Sequence, residues 1–115
     1  MANILIAVTG SIASYKSADL VSSLKKQGHQ VTVLMTEAAR EFIQPLTLQV
    51  LSQNPVHLDV MKEPAPNQVN HIELGKRTDL FIVVPATANT IAKLAHGFAD
   101  NMVTSTALAL PSHIP

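Results

Sequence analysis

The opening of the chain, through Met35, constrains the fold more than any other stretch. Ile4 to Val8 is an unbroken apolar run, Thr9-Gly10-Ser11 interrupts it, and a helical pattern follows from Ile12 to Gln27. Apolar runs without polar alternation mark strands buried on both faces, the condition of strands in a parallel sheet. Within the helical stretch Leu20, Val21 and Leu24 share one face. Lys25 and Lys26 occupy its last turn, where positive charge suits the helix dipole, and Gly28 stands where a left-handed C-cap is wanted. Gln30 to Met35 then reads as a second strand, through Val31, Val33 and Leu34. Strand, helix and strand in so short a span form a βαβ unit, whose crossover is almost always right-handed.

The remaining pattern continues the alternation. Thr36 can cap a helix beginning Glu37-Ala38-Ala39, with Glu37 at its positive end. Pro45 opens a further short helix through Leu51. Val56 to Val60 reads as a short strand, and Lys62 to Asn70, with Pro64 and Pro66 among polar residues, as a loop. Ile72 to Arg77 reads as a brief helix. Leu80 to Val84 is the most strand-like segment and is expected to be the most buried. Helices are predicted from Ala88 to His96 and from Met102 to Leu110. The expectation is an α/β fold with a parallel sheet covered by helices on both faces. With 115 residues, 47% of them apolar and 14% charged, the chain is long and apolar enough for one well-buried domain.

Composition removes several functions. Eight basic residues balance eight acidic ones, so no long-range field favours nucleic acid or an anionic membrane as partner. The absence of cysteine excludes disulfides, a thiolate nucleophile and a thiolate metal site. No two of the five histidines have the spacing of a helical metal site, and no metal is expected. The start lacks the basic flank and cleavage site of a signal peptide, and no stretch reaches the roughly 18 apolar residues of a membrane span. A soluble, cytoplasmic domain is expected.

In parallel α/β sheets, ligands bind outside the carboxyl ends of the strands. Three such ends carry suitable residues. After the first strand, Gly10 lets the chain turn tightly, backbone N–H groups of Ser11 and Ile12 can face a phosphate, and Ser11 adds a hydroxyl. One glycine where a dinucleotide fingerprint needs three, and no acidic residue after the second strand, favour a mononucleotide. Thr36, after the second strand, is either a helix cap or a hydrogen-bonding group for the same ligand. Pro85-Ala86-Thr87-Ala88-Asn89-Thr90 follows the third strand. Its small residues admit a planar ring close to the backbone, and Thr87, Asn89 and Thr90 offer polar groups at a helix N-terminus. His71, just after the proline loop, is a candidate acid or base because imidazole titrates near neutrality, although a plain solvent-facing histidine is the alternative.

Four segments together resemble one family. Ala7-Val8-Thr9-Gly10-Ser11-Ile12-Ala13-Ser14-Tyr15-Lys16 is similar to the opening of the homo-oligomeric flavin-containing cysteine decarboxylases. Asn70-His71-Ile72-Glu73-Leu74 resembles the segment carrying that family's active-site histidine. Pro85 to Thr90 resembles its Pro-Ala-Ser-Ala-Asn-Thr motif, with Thr87 for serine, and Gly97-Phe98-Ala99-Asp100-Asn101 its Gly-x-Ala-Asp-Asn stretch.

The resemblance implies a Rossmann-like or flavodoxin-like fold, bound flavin mononucleotide (FMN), and assembly as trimers or dodecamers. It assigns the flavin to Gly10, Ser11, Ile12 and Thr36, to Ala86, Thr87, Asn89 and Thr90, with Ala99, Asp100 and Asn101 nearby and Phe42 as a further neighbour. It makes His71 catalytic. The nearest branch acts in coenzyme A synthesis, on 4'-phosphopantothenoylcysteine. The chemistry implied is oxidation of the thiol carbon by flavin, which creates the electron sink that loss of carbon dioxide needs. The family pattern continues with a Pro-x-Met-Asn-x-x-Met segment and a cysteine-bearing clamp. Neither occurs here, so the fold is expected to be cut short at its C-terminus and these residues alone to turn over little substrate. Flavin prenyltransferase, peptidyl-cysteine decarboxylase and a non-catalytic FMN-binding regulatory subunit are the competing readings.

Overall fold

The structure, a computed structural model, describes residues 1–58 and 70–115, and for residues 70–73 the backbone alone. Strand β1 (Asn3–Val8) lies between β2 (Gln30–Met35) and β3 (Leu80–Val83), and both pairings are parallel. The register sets Ile6 opposite Val33 on one side and Ile82 on the other.

Alternation along β1 divides the core in two. Ile4, Ile6 and Val8 pack with Val31, Val33 and Met35 of β2, Val21 of helix α1 (Lys16–Lys26) and Leu48 of α2 (Pro45–Ser52). Leu5 and Ala7 face the other way. They meet Leu34, Leu74 of α3 (Asn70–Arg77), and Met102 and Val103 of α5 (Met102–Ala109). Helices thus cover both faces of the sheet, the predicted three-layer α/β arrangement. Each fully buried aliphatic side chain contributes about 1.5–3 kcal/mol, and β1 buries them on both faces, so it anchors both cores.

The lateral order differs from expectation. All four residues of β3 are half-buried, whereas β1 is buried from Ile4 onward. Leu80 to Val84 is therefore not the most buried strand. An apolar run reports cover above and below, but not which strand lies in the middle. That depends on pairing: β1 is flanked on both sides, while on the far edge of β3 the Pro115 carbonyl accepts the Phe81 N–H at 3.1 Å.

Local elements follow their signals with small shifts. The helical stretch after Gly10 begins as a 3₁₀ turn, Ile12–Tyr15, before α1 proper, because Ser11 and Ser14 cap it. Gly28 adopts φ +90° and closes α1, with its N–H on the Lys25 carbonyl at 3.0 Å and the His29 N–H on Leu24 at 3.2 Å. The helix predicted at Glu37 is a 3₁₀ turn, Ala38–Glu41. Of the predicted strand at 56–60, His57 forms a single parallel bridge to Leu34, and residues 59–60 lie outside the described residues, as does the proline loop up to residue 69. Helix α3 starts at Asn70, and α4 occupies Ala88–His96 as predicted. No helix among the described residues is long and apolar enough to cross a membrane.

Candidate functional site

Because the strands are parallel, their carboxyl ends form one rim, and the chain leaving each strand meets there. Thr9, the residue after β1, is fully buried. Its Oγ1 donates to the Pro85 carbonyl, just after the cis Val84–Pro85 bond, and accepts the Thr87 N–H at 3.0 Å. On the other side the Thr36 N–H donates to the Val8 carbonyl at 3.1 Å. The three strand ends singled out in the sequence are therefore adjacent, with the β1 end in the middle.

At the first end, Ser11 Oγ accepts the Ala13 N–H at 3.0 Å, and Ser14 Oγ accepts the Ser11 N–H at 3.0 Å while donating to the Thr9 carbonyl at 2.8 Å. This local network holds the turn and leaves the Ile12 side chain projecting, 84% exposed. Packing alone requires a glycine at position 10. A Cβ there would lie 2.7 Å from Ala38 Cβ, and 2.8 and 2.9 Å from the Ala38 carbonyl carbon and oxygen. Only glycine lets the second strand end pack so closely against the first.

At the second end, Thr36 Oγ1 accepts the Ala39 N–H at 3.3 Å, sharing it with the Thr36 carbonyl at 3.1 Å, so the hydroxyl helps hold the turn although Glu37 is its N-cap. The turn it starts delivers Phe42, a half-exposed aromatic ring. At the third end, Thr87 Oγ1 caps α4 by accepting the Thr90 N–H at 3.2 Å. The buried Thr90 hydroxyl lies 3.1 Å from it, and Ala86, Ala88 and Asn89 present small, exposed surfaces.

The remaining predicted residues lie at the head of α5 and on α3. Asp100 pairs with Lys93 Nζ at 2.8 Å, and that hydrogen bond holds its carboxyl below the ordinary range against an opposing effect of desolvation. Asn101 Oδ1 accepts the Thr104 N–H at 2.9 Å, capping α5, and the Ala99 carbonyl accepts the Ser105 hydroxyl at 3.2 Å. None of the described hydrogen bonds ties this segment to the three strand ends. The His71 side chain lies outside the described residues, but its backbone is placed. Helix α3 hands over to β3 beside the start of β1, where the Asp79 N–H donates to the Asn3 carbonyl at 2.8 Å. His71 is the second residue of that helix. Sequence reasoning missed Thr9 as a site-building residue. The signal was there: a hydroxyl closing an apolar run that is buried on both faces must find partners inside the protein.

Adjacent carboxyl ends of a parallel sheet, bordered by hydroxyls, small residues and helix N-termini, are the arrangement of nucleotide-binding α/β domains. This chain belongs to the Flavoprotein family, whose model matches residues 1–115. It is 64% identical over 112 residues to the probable phosphopantothenoylcysteine decarboxylase of Streptococcus mutans, covering 97% of this chain and 63% of that protein. It is 50% identical over 107 residues to the coenzyme A biosynthesis bifunctional protein CoaBC of Bacillus subtilis, covering 93% of this chain and 26% of that protein. Among solved structures it resembles the FMN-dependent cysteine decarboxylase SpaF with a TM-score of 0.87 and 27% identity, over 96% of this chain and 64% of that one. The chain spans less than two thirds of each of these proteins.

Proposed function

We propose that this chain is the cofactor-binding part of a phosphopantothenoylcysteine decarboxylase, with FMN held where the three strand ends meet. The observation that carries the reading is the adjacency of those ends around Thr9, in a chain 64% identical to a relative bearing that name. The residues fit such a group. The bonds described for Ser11 Oγ and Thr36 Oγ1 use acceptor lone pairs, which leaves each hydroxyl proton for a phosphate or ring carbonyl. Exposed Ile12 and Phe42 offer apolar cover for a ring, and Ala86 and Asn89 stand at the third end without bulk.

In this reading Gly10, Ser11, Ile12, Thr36 and Phe42 hold the cofactor from the first two ends, and Ala86, Thr87, Asn89 and Thr90 from the third. Ala99, Asp100 and Asn101 shape the neighbouring head of α5. Bound FMN supplies the oxidation of the thiol carbon that lets a cysteine carboxylate depart as carbon dioxide. His71, in the first turn of α3, orients the 4'-phosphopantothenoylcysteine or takes its proton. The working protein is a homo-oligomer, a trimer or dodecamer, and exposed Tyr15 supplies apolar surface for a second copy.

The full-length protein tests this directly. It is expected to purify yellow, with a flavin absorption spectrum, and to release carbon dioxide from 4'-phosphopantothenoylcysteine. A His71→Asn variant is expected to keep the colour and lose the release. A colourless protein that takes up no FMN would end the cofactor assignment, and undiminished release by His71→Asn would remove His71 from its role.

A further inference from the structure

We infer that Thr9 is a positioning residue for the cofactor: its one hydroxyl sets the separation of the first and third strand ends. The inference rests on the FMN reading above. The backbone ladder between β1 and β3 runs to the Val84 N–H, which donates to the Ala7 carbonyl at 2.9 Å. No backbone bond between β1 and the residues after Val84 is among those described. The side chain of Thr9 takes over at that point. It satisfies the Pro85 carbonyl with its proton and the Thr87 N–H with a lone pair, so both bonds across the gap come from a single oxygen.

Thr87 is also the N-cap of α4, so the same oxygen fixes where that helix begins. The Thr9 main chain is held in turn: its carbonyl accepts the Ser14 hydroxyl at 2.8 Å, and Ser14 accepts the Ser11 N–H at 3.0 Å. A continuous chain of hydrogen bonds thus runs from the Ser11 turn through Thr9 to the start of α4. Complete burial keeps Thr9 off the ligand itself. Its effect on the ligand passes through Thr87 and Ala86.

The test compares Thr9→Val, which keeps the shape and deletes the hydroxyl, with Thr9→Ser, which keeps the hydroxyl, in the full-length protein. FMN affinity is read by flavin fluorescence, the environment of the ring by visible circular dichroism of the bound flavin, and stability by thermal unfolding without cofactor. Thr9→Val is expected to bind FMN at least tenfold more weakly, about 1.4 kcal/mol, with an altered flavin dichroism, and Thr9→Ser to restore both. A merely structural threonine would lower the unfolding temperature and leave the affinity and dichroism of the folded protein unchanged; that result overturns the inference. Should Thr9→Val not fold, Thr9→Cys replaces it, and affinity equal to that of Thr9→Ser overturns the inference. Failure of the wild-type protein to bind FMN overturns the functional reading and the positioning role together, whereas normal wild-type binding with an unaffected Thr9→Val removes the role alone.

Discussion

Replacing Gly10 by alanine tests the claim that the site is built by close packing of one strand end on another. The new Cβ would stand 2.7 Å from Ala38 Cβ, 2.8 Å from its carbonyl carbon and 2.9 Å from its oxygen. Carbon atoms rest at about 3.5–4.0 Å, so the Ala38 turn must retreat by roughly 1 Å. Two of the three atoms struck are backbone, and no rotamer change relieves them. Overpacking of this kind costs about 1–3 kcal/mol. In a domain near this size that lowers the unfolding temperature by roughly 4–12 °C. The retreating turn carries Thr36 and Phe42 at its ends, so FMN affinity is expected to fall as well, by about tenfold if about 1.4 kcal/mol of contact is lost. Gly28→Ala is the control. At φ +90° with nothing within 4 Å it costs roughly 1–2 kcal/mol through backbone conformation alone, and should leave FMN affinity untouched. Ala38→Gly in the Gly10→Ala background removes the 2.7 Å contact but not the two backbone contacts, so only partial recovery is expected. The assays are thermal unfolding of the cofactor-free protein and flavin titration. Gly10→Ala matching wild type in both, or Gly28→Ala weakening FMN equally, would refute the reasoning.

Two further outcomes follow from the head of α5. Asp100→Asn should lower stability slightly at neutral pH, the pair with Lys93 being exposed; a carboxyl depressed below 3.8 stabilises the fold above that value and loses its contribution as pH falls through its folded value, so the difference from wild type should close in acid, as read by denaturant midpoints across that range. Asn101→Ala removes the cap of α5 and should cost about 1 kcal/mol in urea unfolding, with Asn101→Ser recovering most of it.

Much of this was legible residue by residue, and what was not depends on contacts distant in sequence. The βαβ opening, the Gly28 cap and the limits of α4 depend on neighbours within a turn or two, and local pattern reports them. The middle position of β1 depends on which strands pair, which no single run encodes. Thr9 bonds to Pro85 and Thr87 across 76 and 78 residues, so its importance is visible only once β3 lies beside β1. The case of Asn101 runs the other way. Asn101-x-x-Thr104 has the spacing of a capping box, a local signal, and the structure uses it as one.

The sequence posed cap and ligand contact as alternatives for Thr36, and the two are chemically compatible. A hydroxyl that caps a turn accepts an N–H through a lone pair and keeps its own proton. Ser11 and Thr36 are both in this state, on the Ala13 and Ala39 amides. What such a hydroxyl has left is a donor, already oriented by the turn it caps, and the groups that take up donors are phosphate oxygens and carbonyls. In the function proposed above, capping prepares the rim for an acceptor-rich ligand: each hydroxyl is fixed before the ligand arrives, so that less freedom is lost on binding. The same economy places Thr9, whose proton and lone pair are both engaged, in the frame of the site and not on its surface.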